Sequence, residues 1–222
     1  MIVGRGWLDD VAEVLTKGTG TVERTADRAQ VDVSFETDGA QRNDAVEALT
    51  SRVAAVERLL SGTRGVEVRT RQLSVHDNWD GNTRAGSRAS QRYVLRVTDL
   101  TELDGLLSAL VHAEPTWLNG PSWDLADSKD AVFDAQQEAV ADAGVRAQGY
   151  AKALGRRLGP LQRLSDGDGD MWQANDTAMA AKSFAGFGGG SPGSPVQIEQ
   201  LGLEPQQITV TVRCTAVWSL LE

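Results

Sequence analysis

The chain holds one cysteine and two histidines among 222 residues, and aromatic side chains make up only 5% of it. A lone Cys214 excludes an intrachain disulfide. His76 and His112 fall on separate predicted elements, too few and too scattered to build a Cys/His zinc centre. No stretch approaches the roughly 18 consecutive apolar residues that cross a bilayer as a helix. Positive charge is also short. The formal net charge is −9 and the isoelectric point about 4.8, with no cluster of Lys and Arg interleaved with aromatics, which excludes a nucleic-acid partner. The start, MIVGRGWLDDVAEVL, lacks the basic end and apolar core of an export signal, so the chain reads as cytoplasmic.

What is present is ordinary globular material, 41% hydrophobic and 24% charged, enough for a sizeable core. Ala29, Val31, Val33 and Phe35 alternate with polar residues, the period of a half-buried strand. A helix follows over 45–60, with Val46, Leu49, Val53, Val56 and Leu60 on one face and Gly62 as its stop. VEVRTRQLSVHD and QRYVLRVTDL read as strands joined by a polar tip at 79–90. Asp99 or Thr101 caps a short helix carrying Leu103, Leu106, Leu107 and Leu110. TWLNGPSWDLAD reads as a strand whose Gly120-Pro121 step demands a bulge or an edge.

The longest signal is a helix over 128–158, closed by Gly159-Pro160, with a seam of Val132, Ala135, Ala139, Ala143, Ala147, Tyr150, Leu154 and Leu158. Small side chains there predict close approach to a sheet. From 165 to 207 the pattern dissolves into Gly/Ser/Pro-rich sequence, read as a loop. QITVTVRCTAVWSL closes the chain as a strand with Ile208, Val210, Val212 and Cys214 on one face. The expected fold is α+β, in the order β-α-β-β-α-β-α-β-β, with helices on a largely antiparallel sheet.

Ordered motifs along this frame resemble the SIMPL domain (DUF541) family of bacterial proteins. They are Lys17-Gly18-Thr19-Gly20 with Ala26-Asp27-Arg28-Ala29, Gly65-Val66 with Arg69-Thr70, and Tyr93 with Val97-Thr98-Asp99-Leu100. Trp123-Asp124-Leu125-Ala126-Asp127 follows, then the alanine series with Leu154-Gly155 and Leu158-Gly159. The resemblance implies one domain over 14–222 behind an N-terminal extension at 1–13, with two subdomains, about 14–100 and 101–222, as the alternative organisation. Relatives are often exported, some assemble into rings or channel-like oligomers, and some are linked to oxidative stress or known as surface antigens. No catalytic residues are established for the family, so none is carried over. This chain departs from it in lacking an export signal, in Thr25 where proline is common, and in its long 165–207 segment.

Catalytic and metal motifs fail on inspection. Gly189-Gly190-Ser191-Pro192-Gly193 has the letters of a nucleophile elbow, but Pro192 lacks the N–H an oxyanion hole needs. Asp166-Gly167-Asp168-Gly169-Asp170 begins like a calcium loop, but Met171 and Thr177 stand where it needs Gly and Glu. Gly18-Thr19-Gly20 lacks the third glycine of a dinucleotide fingerprint.

Six tryptophans remain. Trp117, Trp123 and Trp218 sit in predicted strands as core or sheet-face residues; Trp7, Trp79 and Trp172 sit in a terminus, the tip and the loop. Trp79 and Trp172, with Phe184 and Phe187, are the candidate partner-contact residues. The expectation is a non-enzymatic protein without cofactor or metal, working as a homo-oligomer or with a protein partner through the 79–90 tip and the 165–207 loop. The alternative is a small-molecule binding module or a hydrolase with a cleft under that loop.

Overall fold

A computed structural model of the chain describes residues 12–167 and 201–222, and the backbone of 171–174. The order is β1 (Glu13–Thr25), β2 (Arg28–Gly39), α1 (Arg42–Gly62), β3 (Val66–Asp80), β4 (Thr83–Val97), a 3-10 turn (Leu100–Glu102), α2 (Leu103–His112), β5 (Trp117–Asp124), α3 (Lys129–Ala153), β6 (Arg157–Asp166), β7 (Met171–Ala174) and β8 (Gln207–Leu221). The class is α+β with antiparallel pairing, as expected, but the strands divide between two sheets. Two compact units interleave along the chain. Among the described residues, one comprises 12–24, 127–167, 171–174 and 207–222, and the other 25–126 with 201–206.

The second unit holds the sheet β3-β4-β2-β5. Its strands alternate as the sequence predicts: Ala29, Val31, Val33 and Phe35 of β2 and Tyr93, Leu95 and Val97 of β4 are fully buried. Onto them pack Ala45, Leu49, Val53, Val56 and Leu60 of α1 and the four leucines of α2. Asp99 accepts from the Thr101 backbone N–H and so caps the 3-10 turn. β5 is an edge strand, and the register slips opposite its Gly120-Pro121 step, between Gln30 and Asp32.

The first unit is a sheet in which β8 lies between β1 and β6, with β7 also paired to β8. The bonds Leu220 N to Ala12 O and Thr21 Oγ1 to Thr211 Oγ1 make β1 antiparallel to β8. α3 buries Ala131, Ala135, Ala139, Ala143, Ala147 and Ala151, every fourth residue. A Cβ on Gly20 would lie 1.9 Å from Ala135 O, and one on Gly18 1.9 Å from Ala139 O. One step further, Thr16 Oγ1 donates to Ala143 O at 2.9 Å. Four helical residues rise about 6.0 Å and two strand residues about 6.6 Å, so the two series stay in step over this length. That match, rather than a 3.6-residue stripe, selects the alanines.

Several expectations are corrected. The helix ends at Ala153, where Gly155 turns with φ +68°, and Leu158 belongs to β6, opposite Leu220. The seam starts at Ala131 rather than Val132, and Tyr150 and Leu154 are 59% and 64% exposed, off the buried line. β1 escaped the pattern because its inward residues are Thr16, Gly18, Gly20 and Val22, which barely read as apolar. The 79–90 tip shrinks to a turn at Gly81-Asn82, because β4 begins at Thr83 and pairs with β3 along its length. The 165–207 stretch contains β7, paired through Ala174 with Ile208 of β8.

Candidate functional site

On the second unit, β3 and β4 bring polar side chains to the start of α1. Gln41 N–H donates to Asp44 Oδ2 at 3.0 Å, satisfying a free donor at the helix entrance. Arg42, in the first turn, grips Asp77 of β3 through two bonds of 3.1 and 2.9 Å. Ser87 Oγ donates to Asp77 at 2.7 Å, and Arg84 lies 3.0 Å from the same carboxylate. The hydrogen bonds from Arg42 and Ser87, then the charges of both arginines, lower the Asp77 pKa to about 2. An open polar basin of about 390 Å³ lies over Gln41, Arg42, Asn43, Asp77 and Arg84. Its cations already face a carboxylate.

Further along β3, Arg71 donates to both oxygens of Glu57 on α1, at 3.3 and 3.0 Å. Tyr93 OH donates to Glu57 Oε1 at 2.9 Å. The Arg71 hydrogen bond lowers the Glu57 pKa, and burial, followed by the adjacent Glu57, raises that of Tyr93. The phenol stays neutral and holds the carboxylate in place. Beside the turn Trp79 is 63% exposed, and in the middle of β3, opposite Gln91, Leu73 is 57% exposed.

The first unit carries the larger concavity, a groove of about 700 Å³. Ala139 and Val140 of α3 and Leu164, Val212 and Cys214 of the sheet give it apolar walls, with Gln136, Gln137 and Asp166 as polar groups. α3 packs on β1, β8 and part of β6, and Leu161 and Leu164 of β6 stay partly exposed. The volume and mixed lining suit a small organic molecule or an apolar side chain.

Of the candidate contact residues, Trp79 is on the surface of the β3–β4 hairpin. The side chain of Trp172 and residues Phe184, Phe187 and Trp7 lie outside the described residues, as does the 189–193 motif. Trp117 is 46% exposed, with the Arg92 guanidinium 5.8 Å from its ring centre, while Trp123 packs against the core. Trp218 Nε1 reaches Thr16 Oγ1 at 3.3 Å. His76 is exposed, and the ring of His112 turns back to Ser108 O. Among the described residues no three His, Cys, Asp or Glu side chains form a set able to hold a metal ion, and no helix is long and apolar enough to cross a membrane.

Sequence reasoning missed the Arg42–Asp77–Arg84 cluster and the groove. Their members are far apart in sequence and share no local period, so only strand register joins them. In comparison with known proteins, the family described as SIMPL, protein of unknown function (DUF541), matches residues 14–218. No curated protein matches the chain.

Proposed function

The chain belongs to the SIMPL (DUF541) family, and from that premise we propose that it is a non-enzymatic protein that works by self-association or by binding a protein partner. The observation that supports this reading is the exposure of Trp79 and Leu73 on the β3–β4 hairpin. Large apolar groups held in water on a regular, hydrogen-bonded scaffold are the usual anchors of protein interfaces. The carboxylates and guanidiniums around them form closed ion pairs, which shape a surface. Light scattering on the full chain tests the reading: a mass above the 23.8 kDa of one chain supports self-association. A strictly monomeric chain whose Trp79→Ala variant captures the same proteins as wild type overturns it.

A second reading rests on the groove of the first unit. A cleft of about 700 Å³ with apolar walls and a few polar groups fits a small-molecule binding module. An environment-sensitive apolar dye distinguishes the two. Binding that Val140→Trp abolishes favours the groove; indifference to that substitution favours the hairpin.

A further inference from the structure

Among the described residues, besides the four-residue β7, the two sheets have four edge strands, and three of these carry recognisable protection against pairing with another chain. β5 is interrupted by Pro121 and a register shift. β6 contains Pro160 and slips register on either side of Leu161. β1 is capped by α3: the Thr19 and Thr21 backbone N–H groups donate to Asp142 and Glu138 at 3.0 and 3.1 Å. Those carboxylates occupy the donors a foreign strand would use.

β3 differs. It contains no proline, glycine or lysine. From Thr70 to Asn78 it pairs with β4 without a register shift. Among the described residues no side chain bonds to its backbone. Its free edge is therefore a regular run of unpaired N–H and C=O groups, the template for strand addition.

The side chains select the partner. Arg71 and Asp77 both bond to groups of α1, so they lie on the helix-covered face, and strand alternation puts Leu73 and Val75 between them. Read along β3, that face is Arg-Leu-Val-Asp. Laid antiparallel on itself about Ser74, it opposes Arg71 to Asp77, Leu73 to Val75, Val75 to Leu73 and Asp77 to Arg71. The other face then opposes Thr70 to Asn78, Gln72 to His76 and Ser74 to itself, all polar. A parallel arrangement would set arginine against arginine and aspartate against aspartate. We propose that the β3 edge is a homodimer interface, in which two copies of this chain pair antiparallel about Ser74 and continue β3-β4-β2-β5 into one sheet. The inference rests on the self-association reading and names its surface. Arg42, Asp77, Arg71 of the second copy and that copy's Glu57 then alternate in sign across the junction, so the existing ion pairs are extended rather than broken.

The test compares the full-length wild-type chain with three variants. Leu73→Lys places a charge on the edge at an exposed position, and is expected to at least halve the wild-type mass in sedimentation while the circular dichroism stays that of the folded chain. Ser74→Cys is expected to form a disulfide-linked dimer under mild oxidation, because directly opposed residues lie about 4.5–5.5 Å apart, within disulfide range. Gln72→Cys, about 13 Å from its symmetry mate, is expected not to. The native Cys214 is buried and gives no comparable background. A self-associated wild type whose Leu73→Lys variant keeps full mass, or whose Ser74→Cys and Gln72→Cys variants behave alike, overturns the β3 edge and leaves self-association standing. A wild-type mass of 23.8 kDa at every concentration overturns both.

Discussion

Gly18→Ala tests the close approach of α3 to β1. The new Cβ would sit 1.9 Å from Ala139 O and 2.8 Å from Ala143 N, both backbone atoms held in an α-helix. No rotamer relieves such a contact. Bringing it to 3.0 Å, a separation that real Cβ atoms scarcely reach, needs a local retreat of the helix by roughly 1.1 Å. Retreat opens gaps beside Ala135, Ala139 and Ala143 and stretches the bond from Thr16 to Ala143 O. Overpacking of this kind costs about 1–3 kcal/mol, and the immobility of the opposing atoms puts this case at or above the upper end. Gly149→Ala is the control. Nothing lies within 4 Å of its added Cβ, and removing a glycine from a helix interior stabilises by about 0.5–1 kcal/mol. Urea unfolding of the two variants should therefore give shifts of opposite sign. At about 2–4 °C per kcal/mol for a chain of this size, Gly18→Ala should melt at least 6 °C below wild type. A Gly18→Ala variant within about 0.5 kcal/mol of wild type would refute the reasoning.

Three further outcomes are expected. Thr16→Val removes a donor to Ala143 O and the acceptor facing Trp218 Nε1, and should cost about 1–2 kcal/mol in the same assay. Tyr93→Phe leaves Glu57 with Arg71 alone and should cost about 1 kcal/mol, with the β4 core otherwise intact. The Asp77 carboxyl is depressed from 3.8 to about 2 in the folded chain, so its contribution is complete above the unfolded value and disappears as pH falls through the folded one. Acid unfolding of Asp77→Asn should accordingly show a shallower slope than wild type between about pH 4 and 2, and identical slopes would contradict the Arg42 and Ser87 contacts.

Much of the second unit is legible in the sequence because its strands and helices bury large side chains at their natural periods. Val31, Val33 and Phe35 alternate visibly, and the four leucines of α2 can only be a buried face. β1 is illegible for the opposite reason: its buried positions are Thr16, Gly18 and Gly20, where the packing is backbone against backbone. The candidate surfaces divide the same way. Trp79 is visible as an aromatic among polar residues, whereas the Arg42–Asp77 pair joins positions 35 residues apart that only the hairpin and helix entrance bring together.

By itself the sequence determined the alanine-lined helix, which rests on composition and period within one segment, the α+β class, which rests on the order of such segments, and the likeness to the SIMPL family, which rests on motifs ordered along nearly the whole chain. The tertiary structure decided which alanine face is buried, where the helix ends and which sheet edges are closed. Those depend on the spacing of a second segment: α3 buries every fourth residue because β1 offers a small residue at every second one.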